Sequence, residues 1–87
     1  MTSARYDPSV SSDRADALFA SPLQRSDRPG PGQVRQAIAV AVARYGVPGC
    51  AARVAQAFGE HPDTAVIRMR WARTMVARDV MAASLAA

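Results

Sequence analysis

Lysine is missing from these 87 residues, and cysteine, histidine and tryptophan occur once each. The single cysteine, Cys50, excludes an internal disulfide and any multi-cysteine zinc or iron–sulfur site. A protein-only metal site would need carboxylates beside His61 and Cys50, and none stands at helical spacing from both, so no cofactor is expected. No two carboxylates, no His–Ser or His–Cys set and no Gly-rich phosphate loop stand at workable positions, which argues against an enzyme. No run of 18 apolar residues occurs, so no transmembrane helix is expected. The N-terminus carries acidic residues where a signal peptide needs a basic region followed by an apolar one. A cytoplasmic protein without membrane contact is the resulting expectation.

The absence of lysine leaves all 11 basic residues as arginine. The guanidinium fork suits phosphate. However, an Ala-, Arg-, Val- and Gly-rich composition is also what a GC-rich genome produces, so placement says more than the Arg bias. Residues 1–33 hold four Arg against four Asp and are neutral. Residues 34–87 hold seven Arg against Glu60, Asp63 and Asp79, and carry the whole net charge of +4. A basic folded part suits an anionic partner such as nucleic acid. Alanine is abundant at 19 residues, which favours helix but contributes little core volume. A core this small at this chain length predicts a working state stabilised by a homodimer or a bound partner.

Residues 1–31 read as a flexible arm rich in Pro, Ser and Asp, with residues 1–11 the most mobile. Ser12 is a good N-cap for a short helix at 13–20, which Ser21-Pro22 ends. Leu18, Phe19 and Leu23 are apolar residues in an otherwise polar stretch, placed either to fold back onto the core or to form a docking motif. Residues 32–82 then form the helical domain. Helix one spans about 32–45, with Val34, Ile38, Ala41/Val42 and Tyr45 on one face and Gly46 as its stop. Ile38–Ala43 also alternates large and small residues as a strand would. Alanine as the small partner, and the lack of a second strand, favour helix. Helix two spans about 50–58, with Cys50, Val54, Ala55 and Phe58 on one face. Helix three runs from Pro62, a favoured first position, to about residue 80. Its core stripe is Val66, Met69, Ala72, Val76 and Val80, and residues 82–87 fray. The fold class is all-α: a three-helix, helix-turn-helix-like domain behind a flexible N-terminal arm.

Helix two, a four-residue turn and a basic helix three form a helix-turn-helix pattern. Ala55 is the small residue where the two helices would cross, and Gly59 would enter the turn with positive φ. Val54-Ala55-Gln56-Ala57-Phe58-Gly59, then Glu60-His61-Pro62-Asp63, then Thr64 and Arg68-Met69-Arg70-Trp71-Ala72-Arg73 together resemble region 4 of extracytoplasmic-function sigma factors over residues 54–76. Ala55, Gly59, Thr64, Arg68, Met69, Ala72 and Arg73 fit that family's pattern without a gap. Glu60 stands where the family has an apolar residue, and Ala65 where it has Val. The stretches Ser21-Pro22-Leu23-Gln24, Gly49–Ala55 and His61-Pro62 look similar to short actinobacterial proteins, a likeness that implies no function.

The resemblance implies a small DNA-binding transcriptional regulator with helix three as recognition element. Thr64, Arg68, Arg70, Arg73 and Arg78 would be its DNA-binding residues: Arg68 or Arg70 at a guanine edge or a phosphate, Arg73 and Arg78 at phosphates. The same arginines also suit the solvated face of an amphipathic helix, their stems covering apolar surface. The rival reading is a non-enzymatic adaptor that docks on RNA polymerase, a sigma factor or another regulator through Trp71 and Met75. A lone Trp in so small a chain also serves as core or dimer interface. His61 reads as a turn residue or helix cap rather than a ligand, and Cys50 as a buried small residue rather than a reactive thiol. The two functions predict different surfaces. DNA binding needs Thr64, Arg68, Arg70 and Arg73 on one open face, whereas a protein partner needs an apolar patch around Trp71 and Met75.

Overall fold

A computed structural model describes the backbone of residues 8–86. Among them stand three α-helices, α1 (Pro8–Ala20), α2 (Pro31–Glu60) and α3 (Pro62–Ala86), with a 3-10 turn at Arg25–Asp27. No strand occurs among the described residues, and Ile38–Ala43 is helical. The fold is all-α, as the periodicity predicts. The helix ends differ in detail: the segment expected at 50–58 extends to Glu60, and α3 continues through residues 82–86 rather than fraying, in keeping with the high helix propensity of alanine.

The largest departure lies at the N-terminal end. The mobility expected for residues 1–7 concerns residues outside those described, but residues 8–20 form α1, which packs against both α2 and α3. Ala15, Ala17, Leu18 and Phe19 are buried, and Ala17 and Leu18 are wholly inaccessible. From residue 8 onward the expected flexible arm is therefore a core helix. The physical reason is volume: an Ala-rich α2 and α3 leave space between them that Leu18 and Phe19 fill, and burying a Leu or Phe side chain stabilises by about 1.5–3 kcal/mol. Of the two placements open for Leu18, Phe19 and Leu23, the fold-back onto the core is the one seen, with Leu23 half-buried beside it.

Helix α2 begins at Pro31, where the missing N–H costs nothing. Its first turn is tied by the Gly30 N–H donating to Gln33 Oε1 at 2.9 Å. Val34, Ile38 and Ala41 face the core. At Gly46 the backbone turns to φ 71°, ψ 165°, a region essentially reserved for glycine, so α2 is two arms, 31–45 and 47–60, joined at an elbow. A Cβ on Gly49 would lie 3.0 Å from Tyr45 Cβ, so the missing side chain lets the elbow close. Inside it the buried Cys50 thiol donates to Ala41 O at 3.6 Å, and the Arg53 guanidinium lies 3.8 Å from the Tyr45 ring centroid. Cys50 is a buried small residue, and burial pushes its thiol pKa up, with Asp16 adding to the rise and Arg53 opposing it. An 18-residue window of α2 has a mean hydropathy of 1.2 and passes a test of length and composition for a membrane span, but the elbow at Gly46 divides the helix into arms each shorter than the roughly 20 residues a span needs. Polar residues interspersed through that window keep it from being an uninterrupted apolar run.

His61 alone separates α2 from α3. Its N–H donates to Ala57 O at 2.7 Å, and its carbonyl accepts from the Ala65 N–H at 2.9 Å and from Thr64 Oγ1 at 3.2 Å. One residue thereby serves both helix ends, and the expected four-residue turn is absent. Gly59 is helical, and Gly46 is the only glycine with positive φ among the described residues. Ala55 is exposed, so no helix crosses it. The helix-turn-helix geometry expected over 54–64 is replaced by a one-residue corner. The core stripe of α3 is also one place earlier than expected at its start: Ala65, Met69, Ala72 and Val76 are buried, while Val66 is exposed and Val80 half-buried. Phe58 does not bury fully; it stacks on Phe19 with ring centroids 6.2 Å apart.

One acidic residue ties the three helices together. Asp79 of α3 accepts from Arg14 Nη2 of α1 at 2.8 Å and from Arg35 Nη1 of α2 at 2.7 Å. These hydrogen bonds hold its carboxyl below the usual range, Arg14 contributing most.

Candidate functional site

The α3 residues singled out in the sequence do not share one face. Arg68 is turned inward. Its Nε donates to Phe19 O at 2.9 Å, and its Nη2 to Ser21 O at 2.8 Å and Leu23 O at 3.0 Å, with a longer contact of 3.4 Å to Leu18 O. The guanidinium stands 5.5 Å from the Phe19 ring centroid and 5.2 Å from that of Trp71. Two carbonyls from the last turn of α1, Leu18 O and Phe19 O, and two from the connection just beyond it, Ser21 O and Leu23 O, converge on one cation, where the helix dipole also favours positive charge. Burial lowers the Arg68 pKa from its ordinary value, but a guanidinium remains protonated at any pH a protein meets. A base edge or phosphate would have to compete with these bonds for its Nε and Nη2.

Arg73 lies on the other side of α3, in a depression between α1 and α3 that Ser11, Ser12 and Ala15 also line. Its charge opposes the rise that burial and Asp13 impose on the Asp16 carboxyl. At about 100° per residue, Arg73 and Arg78 point roughly 140° apart around the helix axis.

Arg70, Trp71, Met75 and Arg78 do come together. With Ile67 and Thr74 they form the α3 side of a groove of about 690 Å³, whose opposite wall is Arg25, Arg28 and Pro29 from the connection between α1 and α2. Thr64, Arg25 and Trp71 extend it toward the start of α3, and Pro29, Met75 and Ala82 toward its end. The connection therefore runs beside α3 in the same direction, and the groove follows α3 from Thr64 to Ala82, about 27 Å at 1.5 Å per residue. Ile67, Trp71 and Met75 supply apolar floor at spacings of four, and Trp71 and Met75 are half-buried there.

Arg25, Arg28, Arg70 and Arg78 are all exposed on the rim, and none is paired with a carboxylate among the described residues. Asp79 reaches the far end of the groove, but its charge is taken by Arg14 and Arg35.

The wall is held by local chemistry. Ser21 Oγ donates to Leu18 O at 2.6 Å and accepts the Leu23 N–H at 3.3 Å. The Gln24 N–H donates to Asp27 Oδ2 at 2.8 Å, and Arg28 closes the 3-10 turn with φ 49°. Arg68 pins the start of this wall through Ser21 O and Leu23 O and lies against Trp71 in the floor. Sequence reasoning passed over Arg25, Arg28 and Ile67. The first two lie in what reads as linker, and Ile67 lies off the core stripe. The available signal is a pair of arginines just ahead of the Pro29-Gly30-Pro31 segment. Among the described residues no group of three or more His, Cys, Asp or Glu is arranged to hold a metal ion. Comparison with known families, with curated proteins and with solved structures finds no match.

Proposed function

We propose that this chain is a binding module that docks on another protein through the groove along α3, an adaptor rather than a DNA reader. The observation that carries this reading is the Trp71–Met75 floor framed by four arginines that pair with no carboxylate among the described residues. An apolar floor with a charged rim is the anatomy of a protein interface. The DNA reading, with Thr64, Arg68, Arg70, Arg73 and Arg78 on a recognition helix, has three features against it. Arg68 is engaged by backbone carbonyls, Arg73 faces away from Arg78, and the turn that would present the helix is a single residue. RNA polymerase, a sigma factor or another regulator is the partner class to test first.

A photo-crosslinking amino acid at Thr74, exposed on the groove, should give discrete protein adducts in cells. The same group at Gln36, exposed on α2 outside the groove, should not. Adducts to DNA alone from position 74, together with sequence-dependent retention on duplex DNA, would overturn the docking reading in favour of the regulator.

A further inference from the structure

Resting on that docking reading, we infer that the occupant of the groove is an acidic amphipathic helix of the partner, carrying two carboxylates about two turns apart with apolar residues between them. Four exposed guanidiniums line the rim, and the net charge of +4 disfavours a second copy of this chain as occupant. The shape of the groove excludes other peptide modes. Strand addition needs a sheet edge, and none exists among the described residues. A polyproline segment needs a groove lined by several aromatics, and among the described residues Trp71 is the one aromatic in this groove. A stripe at i, i+4 and i+8, here Ile67, Trp71 and Met75, is complemented by the apolar stripe of another helix.

Arg70 and Arg78 are eight residues apart on α3 and so stand about 12 Å apart along its axis. Carboxylates at i and i+7 or i+8 of a partner helix repeat at about 10–12 Å. Leu or Phe at i+3 and i+4 of that helix would then lie over Trp71 and Met75, with Arg25 and Arg28 covering its outer flank. A small free anion would use one end of a groove about 27 Å long and leave the apolar floor uncovered.

Trp71 is the single tryptophan of the chain and so reports occupancy directly. The probes are a synthetic peptide of about 18 residues with Glu at i and i+7 and Leu at i+3 and i+4, its Gln counterpart, its Lys counterpart, and a random duplex DNA. The Glu peptide is expected to shift Trp71 emission and to gain helicity on binding. It should bind roughly two- to thirtyfold more tightly than the Gln peptide, the range that two exposed ion pairs supply, with the margin shrinking as salt is added.

The double variant Arg70→Glu/Arg78→Glu alters only exposed side chains that form no ion pair among the described residues and should reverse the preference toward the Lys peptide. Equal binding of the Glu and Gln peptides overturns the acidic occupant and leaves docking through the groove intact. A Trp71 response to duplex DNA and to no peptide overturns both. No response to any probe overturns the acidic helix, and the crosslinks from Thr74 then judge the docking reading on their own.

Discussion

Arg68 shows how one side chain changes meaning between sequence and structure. On a helix wheel it is one of several basic residues; in the fold it is the group that satisfies the end of α1. A lysine keeps the charge but presents a single ammonium and lacks the planar fork that reaches Phe19 O and Ser21 O together. Arg68→Lys is therefore expected to lower stability by about 1.5–3 kcal/mol, the scale of hydrogen bonds made by a charged donor, as read by urea denaturation. A variant as stable as the parent would mean that the carbonyls find other partners. Gly46 is the second residue whose role is conformational. At φ 71° and ψ 165° a side chain is strained even though the nearest atom to an added Cβ, Pro48 Cδ, lies at 3.7 Å. Gly46→Ala should cost about 1–3 kcal/mol, visible as a lower melting temperature with unchanged helix content below the transition.

At the scale of elements, α1 is the part that sequence reading undervalues. Its polar surroundings and prolines suggest an arm, but four buried positions, Ala15, Ala17, Leu18 and Phe19, place it between α2 and α3. Leu18→Ala is expected to destabilise the whole molecule by about 2–5 kcal/mol, with α2 and α3 melting in the same transition as α1. Loss of α1 alone, with α2 and α3 still folded, would show the arm reading to be the better one. The added helix also weakens the volume argument for a homodimer, since Leu18 and Phe19 supply bulk that α2 and α3 lack. The corner at His61 is decided by hydrogen bonding at both of its faces, which no residue pattern over 54–64 reveals.

For the whole molecule, the three-helix tie at Asp79 sets a pH dependence. Its carboxyl is held below the ordinary range, so its contribution to stability is complete above the pKa it has in the unfolded chain and is lost as pH falls through the lower folded value. Asp16 acts in the opposite sense. Burial, reinforced by Asp13, raises its carboxyl, so protonation relieves a cost as pH falls. Asp79→Asn should be less stable than the parent at neutral pH, and the gap between the two should close in acid. Parallel curves of unfolding free energy against pH would show that the tie contributes nothing.

What the sequence determined by itself is the helical class, the end of α1 and the starts of α2 and α3, the buried face of the first arm of α2, the burial of Cys50 and the basic balance of residues 34–87. These follow from short-range causes: the 3.6-residue repeat, alanine content, and glycine and proline as punctuation. Trp71, Met75, Arg70 and Arg78 were legible as candidate contact residues, because exposure of one α3 face follows from the same repeat. Tertiary structure alone decided that α1 belongs to the core, that Arg68 is spent on four carbonyls 45 to 50 residues away in sequence, and that Arg25 and Arg28 stand opposite Arg70 and Arg78. Those outcomes depend on which surfaces meet across long stretches of chain. An unpaired carbonyl or an open volume becomes a constraint only once the helices have packed.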